Sequence, residues 1–321
     1  MPSVAGAPAY VNQRAVWGNQ QAVGLAVAAT DKFRASNVTM SPEYQVEFVR
    51  PSGSRVKSTN YVTKSWSEGD LDGVPCWNEL PGFFNWALGS SVDPGDGTGE
   101  GTQRWTITNA LNYRTVEFGE EGTGKCAQVS NVFVKNFELK WSRGAGDANV
   151  KAGLVGGAWL DSQNMSTGTT ALPVRPITGT TVRCFLSSDP DINPYEIDLS
   201  DALEINISTG DMRHDVWSLD GYPSWKDTVD VALESFEVSL MMKATSVGRE
   251  FAQYLAGSDT MYLQIMASGG DGETLELRFA VQPNDYSLSD QDDVYAVEVP
   301  LSVVEDSTGF SHYFQISPAT S

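Results

Sequence analysis

A mainly β fold is predicted for this chain of 321 residues. Charged residues make up only 19% of it and it contains 30 glycines, a composition that suits strands and turns better than long helices. Several segments alternate apolar and polar residues, which is the period of a strand with one buried face. Turn-forming residues separate these segments. Together the observations predict β-sandwich or barrel domains, each with a short flanking α-helix.

The N-terminal residues predict an extended arm. Residues 1–35 begin with a stretch rich in Ala, Gly and Gln, where apolar residues are scattered singly. Such a segment is tied down only where a partner holds it. Regular structure is expected to begin near Tyr44, with an alternating segment at 45–49, a turn at 51–54 and a second strand at 55–62.

A helix is predicted at 76–88. Its apolar residues recur at helical spacing: Phe83, Phe84, Ala87 and Leu88. Pro81 suits the first turn, and Gly89 provides a C-terminal stop. The glycine-rich stretch 90–101 offers nothing to pack and is expected to be a mobile loop.

Further strands are predicted in both halves of the chain, at 104–108, 115–118, 128–142, 150–159, 181–186, 203–208, 234–243, 261–266, 275–281, 295–303 and 312–316. A hairpin turn at 144–147 joins two of them. In 128–142, Phe133, Phe137, Leu139 and Trp141 fall on one face, opposite Asn136, Glu138 and Lys140. We therefore expect one side of that strand to be buried.

The order of elements predicts an internal duplication. A second helix is expected at 247–255, ending at Gly257, so that each half offers a hairpin, a short helix and further hairpins. A polar stretch at 162–170 has no apolar period and marks a boundary. The prediction is therefore an arm at 1–35, a first domain at 36–165 and a second domain at 166–321.

The net charge of −20 is uneven along the chain. Residues 1–170 carry 14 Lys and Arg against 16 Asp and Glu, whereas residues 171–321 carry 7 against 25. A surface this acidic is unsuited to gripping nucleic acid, because phosphate binding needs Lys and Arg. It suits solubility, or a surface that DNA passes without adhering.

The sequence contains few signals that indicate a cellular compartment. We expect no membrane span and no secretory signal. The three cysteines, Cys76, Cys126 and Cys184, are odd in number and far apart. They predict free thiols in a reducing compartment and no disulfide framework.

The sequence stretches that resemble phosphate-binding, calcium-binding or metal-binding motifs each lack residues that those motifs require. Residues 119–126 nearly spell a phosphate loop, but Cys126 replaces the hydroxyl residue and a strand pattern follows, so a hairpin is the better interpretation. Calcium-like stretches at 189–193 and 93–97 lack the required later residues and are interpreted as turns. His214 and His312 have no partners at metal spacing. We expect no enzyme activity, catalytic residue, metal site or cofactor.

A resemblance to a known family rests on several stretches. Residues 59–75, Thr-Asn-Tyr-Val-Thr-Lys-Ser-Trp-Ser-Glu-Gly-Asp-Leu-Asp-Gly-Val-Pro, lead into 80–89, Leu-Pro-Gly-Phe-Phe-Asn-Trp-Ala-Leu-Gly. The other stretches are 114–118, 127–142, 149–156 and the second half from 172–179 through Asp220 and Gly221 to the C-terminus. In spacing and residue class they resemble siphophage major tail proteins, over most of the chain past the arm.

This resemblance implies a fold and a role. It implies two tandem tail-tube domains whose inner strands join into one large barrel around a lumen, in a trimeric, pseudo-hexameric ring that stacks into a tube. The expected partners are further copies of the chain, the tape measure protein, and tail terminator or distal tail proteins. DNA would pass without specific binding, and no membrane would be involved. The location would be the virion, after assembly in the host cytoplasm.

The resemblance also points to inner strands. The candidates are 128–142 with 150–159, and 234–243 with 295–303. Their polar sides would face the channel, which makes Glu138, Glu237 and Glu298 candidate lumen residues.

Two alternatives remain open. One is a related tail terminator or distal tail protein. The other is a carbohydrate-binding or adhesion β-sandwich, since nine tryptophans could build a sugar platform. Because Trp86, Trp105 and Trp141 fall in patterned segments, core packing is the better interpretation of these three.

Overall fold

The computed structural model describes residues 13–20, 25–50, 52, 55–57, 59–94, 101–108, 112–120, 124–142, 148–190, 197–217, 225, 227–233, 235–244, 260–284, 287–291 and 294–318. This part of the chain holds 21 strands, one α-helix and a short 3-10 turn, so the fold is mainly β, as predicted.

The elements fall into two groups along the chain. Strands β1 to β9 are Gln13–Gln20, Asp31–Lys32, Ser36–Val49, Thr59–Gly73, Gln103–Trp105, Tyr113–Glu120, Lys125–Ser142, Ala148–Gly156 and Trp159–Asn164, and helix α1 is Leu80–Ala87. The 3-10 turn is Gly179–Thr181. Strands β10 to β21 are Thr170–Ala171, Val182–Ser187, Ile197–Asp198, Ala202–Thr209, Arg213–Val216, Asp227–Asp230, Phe236–Lys243, Met261–Ser268, Thr274–Pro283, Ser287–Gln291, Val294–Val303 and His312–Ser317.

Eight antiparallel strands form a continuous layer, here called the central sheet. Its order is β3-β4-β8-β7-β13-β16-β20-β19. Strand β7 meets β13 with Leu139 opposite Ile207, both fully buried. The first and second halves of the chain thus share one sheet. The predicted hairpin of β7 and β8 is confirmed, and the structure also pairs β16 with β20.

Two outer groups of strands continue from the central sheet. The first half of β7 pairs with β6 and β9, and β6 pairs with β1. On the other side β18 pairs with β17, β21 and β20, and β21 pairs with β5. The long strands β7 and β18 each belong to two layers, and this makes the architecture sandwich-like.

The predicted first helix is confirmed as α1. Pro81 lies in its first turn, and Gly89 follows its end with a φ of 108°, a conformation that glycine adopts without strain. Phe84 is fully buried, and its ring centroid lies 5.4 Å from that of Trp105 and 5.2 Å from that of Phe314. Full burial of such a side chain contributes roughly 1.5–3 kcal/mol, so the packing secures a helix of only two turns.

A buried arginine ties the second half of the chain to the end of α1. The guanidinium of Arg213 donates to the carbonyl oxygens of Ala87 at 2.9 Å and Thr108 at 3.2 Å. It also pairs with Asp230 at 3.2 Å. The helix C-terminus therefore receives a positive charge where its free carbonyls need a donor.

The arm prediction needs a correction. Regular structure begins well before Tyr44, because β1 pairs with β6 over eight residue pairs. Ala15 and Val16 are buried there, so a few scattered apolar residues suffice once a partner strand supplies the other side. At Gly18 an added Cβ would lie 2.4 Å from the Ala28 carbonyl oxygen, so only glycine allows this close passage.

Other boundaries also differ from the expected ones. Strand β4 continues through the polar stretch to Gly73 because β8 pairs with it there. The single strand expected at 150–159 is two strands, β8 and β9. Several predicted features lie outside the described residues, namely the helix at 247–255, the turn at 144–147 and much of the 90–101 loop. The duplication and the domain limits stay predictions.

Candidate functional site

The central sheet has one polar side and one apolar side. On the apolar side β7, β13, β16 and β20 bury an aliphatic layer, which consists of Leu139, Ile205, Ile207, Val238, Leu240, Val297, Val299 and Leu301. The alternate residues of the same strands are half-buried and mostly polar. We call this second side the polar face.

A row of polar residues crosses six neighbouring strands of the polar face. Residues directly opposite each other in antiparallel strands project to the same side. The register therefore aligns Asp72, Lys151, Glu138, Ser208, Glu237 and Ser302. The row runs without a break from strands of the first half of the chain to strands of the second half.

The three candidate lumen residues all lie on the polar face. Glu138 and Glu237 lie on opposite sides of Ser208, so they are two strand spacings apart, or roughly 10 Å. Glu298 lies farther along the sheet, where its carboxylate accepts the Ser239 hydroxyl at 3.3 Å. All three side chains are half-buried. The structure thus brings them to one surface.

Acidic side chains predominate on this surface. It carries Asp70, Asp72, Glu138, Glu204, Glu237 and Glu298, together with Lys140, Lys151 and Lys243. One lysine is neutralised directly, since Lys140 pairs with Glu204 at 2.6 Å. A surface of this composition repels a polyanion at long range and gives it few phosphate contacts.

The edges of the central sheet are strands β3 and β19. Among the described strands, β3 pairs with β4 alone and β19 with β20 alone. Each edge presents backbone groups that can pair with another chain. Leu288 on β19 is 53% exposed, which adds an apolar contact at that edge.

The hairpin of β3 and β4 projects beyond the rest of the sheet. Strand β8 supports β4 only between Ser67 and Gly73, so the outer part of the hairpin is a two-stranded ribbon. Apolar side chains are exposed along it: Tyr44, Val46, Phe48, Val49, Tyr61 and Val62. A group of exposed apolar residues on a ribbon this long is typical of a surface that another molecule covers.

The described residues on either side of the phosphate-loop-like stretch, 119–120 and 125–126, belong to the paired strands β6 and β7, in agreement with the hairpin interpretation. Gly119 pairs with Cys126 and Glu120 with Lys125 across β6 and β7, so no helix starts after the lysine. The Lys125 ammonium donates to the Asn164 side chain at 2.7 Å. The geometry has no helix N-terminus to receive a phosphate.

One histidine, the three cysteines and three of the tryptophans considered above for chemistry or sugar binding are buried in the fold. His312 is buried, accepts the Ile107 amide at 3.0 Å, and has its pKa lowered to about 4 by burial. All three cysteines are buried free thiols, and burial raises the pKa of Cys76 and Cys126 to about 11. Trp86, Trp105 and Trp141 are in the core, as predicted.

Within the described ranges, no three His, Cys, Asp or Glu side chains are grouped so that they could hold a metal ion. No described helix has the length and apolar character needed to cross a membrane. The calcium-like stretch at 189–193 lies partly outside the described residues.

The polar face was identified from the sequence only in part. Alternation predicted which sides of β7, β16 and β20 are polar. Strand β13, which joins the two halves, was predicted at 203–208 without any indication of its partner. No protein-family model matches the chain, and no curated protein matches it.

Proposed function

We propose that this protein is a structural virion protein that assembles into the tail tube of a long-tailed virus, through which the genome is ejected. The observation that carries the proposal is the polar, acidic face of a sheet that runs unbroken through both halves of the chain. The resemblance to siphophage major tail proteins supports the same function. In such a tube the polar face would line the lumen.

The size of the central sheet suits a shared barrel better than a barrel within one chain. An eight-stranded barrel has an interior just filled by side chains, and half-buried carboxylates could not fill it without great cost. Three copies would supply about 24 strands. At a spacing of ~4.8 Å and a tilt of ~40°, that barrel has a backbone diameter of about 48 Å. It leaves a wide aqueous channel.

The edges and the hairpin supply the means of assembly. Pairing of β3 of one copy with β19 of the next would close the ring and remove both edges. The exposed apolar side chains of the β3-β4 hairpin would be covered by a neighbouring copy. The tape measure protein and the tail terminator or distal tail proteins would bind the finished tube, which would be located in the virion.

Electron microscopy of the concentrated protein, with its mass in solution, tests the proposal. We expect hollow tubes or three-fold rings with a central pore. Leu288→Lys on the β19 edge should weaken ring formation, whereas Val229→Lys, an equally exposed position on the β14-β15 ribbon, should not. Irregular aggregates without a pore, or equal effects of the two variants, would contradict it.

A carbohydrate-binding module is the second candidate, and one surface cluster favours it. Trp66 and Trp217 are half-buried and meet edge to face, with ring centroids 5.8 Å apart. The Lys64 ammonium lies 5.0 Å from the Trp217 ring. A chain that stays monomeric and binds glycans through Trp217 would favour this function over the tube.

A further inference from the structure

A cavity of about 200 Å³ lies between β1, the start of α1 and β6. We call it the Arg114 pocket. Four aromatic side chains line it, namely Trp17, Phe33, Phe83 and Trp86. Its charged lining consists of Arg114, Lys32, Asp31 and Glu79. A cavity of ~150 Å³ lined by apolar side chains already accepts a benzene ring, so this one has room for an aromatic group.

Arg114 is buried in the wall of this pocket with unused hydrogen-bond donors. Its side chain is 3% exposed and stacks on Trp17, with the guanidinium carbon 4.0 Å from the ring centroid. Its Nη2 donates to the Gly82 carbonyl oxygen at 3.4 Å, but Nε and Nη1 have no hydrogen-bond partner. Burial lowers its pKa to about 10, so the group stays charged at neutral pH.

The two carboxylates of the lining do not satisfy these donors. Glu79 accepts the backbone amides of Arg34 at 2.9 Å and Ala35 at 3.0 Å. Asp31 attracts the guanidinium electrostatically, but its carboxylate accepts the Thr30 hydroxyl at 2.7 Å. An unsatisfied buried guanidinium is costly, and an anion that enters the pocket would remove that cost.

We propose that the Arg114 pocket binds a carboxylate joined to an aromatic group. The ring would lie among the four aromatic side chains. The carboxylate would accept from Nε or Nη1 of Arg114 once the guanidinium turns toward the cavity, because both atoms are buried in the free chain. Charge-assisted hydrogen bonds of this kind are about twice as strong as neutral ones. The proposal does not depend on tube formation.

Two sources can supply this chemistry. One is a small aromatic acid. The other is an acidic residue close to an aromatic one on a second copy of the chain, as in Glu47 and Tyr61, which lie opposite each other on the β3-β4 hairpin, with Tyr61 48% exposed. Residues 1–12 contain no Asp or Glu, so the N-terminal residues of the chain do not supply it.

The test is a titration of the full chain with phenylacetate, followed by tryptophan fluorescence, since Trp17 and Trp86 line the pocket. We expect saturable binding. Affinity should be at least tenfold lower for 2-phenylethanol, which lacks the charge, and for acetate, which lacks the ring. Arg114→Met should cause a similar loss, whereas the matched variant Arg183→Met, at an exposed arginine on β11, should not.

Two results would overturn the proposal. They are the absence of saturable phenylacetate binding, and equal binding by the wild type and Arg114→Met. Melting curves control for folding, and the methionine variant should melt no lower than the wild type because it removes an unsatisfied buried charge. If this variant fails to fold, the comparison of phenylacetate with 2-phenylethanol on the wild type decides the matter.

A peptide of residues 43–65, which contains both Glu47 and Tyr61, separates the two sources. Displacement of phenylacetate by this peptide, and not by its Glu47→Gln form, assigns the ligand to a second copy of the chain. Phenylacetate binding without displacement assigns it to a small acid. Both measurements use dilute protein, so a chain that forms no tubes still gives a clear answer about the pocket.

Discussion

Charge reversal on the polar face provides the most direct test of a lumen that DNA passes without adhering. The change is Glu138→Lys, Glu237→Lys and Glu298→Lys in one chain, which moves the face six charge units toward positive. All three side chains are half-buried on one side of the central sheet, so the new ammonium groups would point to the same space. We expect the variant to bind duplex DNA, whereas the wild type should not.

The magnitude follows from the number of new cations. Three phosphate contacts give a slope of log affinity against log salt of about −2.7, since each contact contributes about −0.9. Raising the salt from ~50 to ~200 mM should therefore weaken binding about 40-fold per chain. Fluorescence anisotropy with a labelled duplex at both salt concentrations measures this change.

A matched control separates position from net charge. Reversal of Asp198, Asp227 and Glu305, three exposed acids outside the central sheet, makes the same change in net charge. If this control binds DNA as strongly as the polar-face variant, the reasoning about the face is wrong. The same conclusion follows if the polar-face variant stays as inert as the wild type.

Three further predictions concern stability. Arg213→Met leaves the buried carbonyl group of Ala87, the half-buried carbonyl group of Thr108 and the Asp230 carboxylate without their donor, so urea unfolding should show that the free energy of unfolding falls by about 3–5 kcal/mol. A fall of less than about 1 kcal/mol would contradict this role of Arg213. Ile207→Ala, at the point where β13 pairs with β7, should lower the free energy of unfolding by about 2–5 kcal/mol. Leu288→Ala, at an exposed position, should change it by less than about 0.5 kcal/mol. The lowered pKa of His312 means that the unfolded chain binds a proton first, so the free energy of unfolding should fall by about 3 kcal/mol from pH 6.5 to 4. His312→Asn should remove that part of the pH dependence, and an unchanged pH profile would refute the assignment.

The sequence alone determined the mainly β class, the position of α1 and the sides of the main strands. These properties are local. Alternation at Phe137, Leu139 and Trp141 shows which side of β7 is buried whatever its partner, because successive side chains point to opposite faces. In the same way Gly89 ends α1 through its own backbone conformation.

Tertiary structure decided which strands are neighbours. Pairing of β7 with β13 places Leu139 opposite Ile207, two residues that are 68 positions apart in sequence, and no local pattern specifies that choice. It is the pairing that brings Glu138 and Glu237 to one surface. Strand β1 likewise depends on distant partners, because β6 pairs with it along its whole length and β2 pairs with its middle.

The Arg114 pocket depends even more on tertiary structure. In the sequence Arg114 is one basic residue in an alternating segment, with nothing to distinguish it from an exposed one. Its burial results from the approach of β1, which brings Trp17 against the guanidinium, and of α1, which brings Gly82 and Trp86. The sequence sets the period of each strand, but burial and pairing are properties of contacts between distant segments, and only the folded chain makes those contacts.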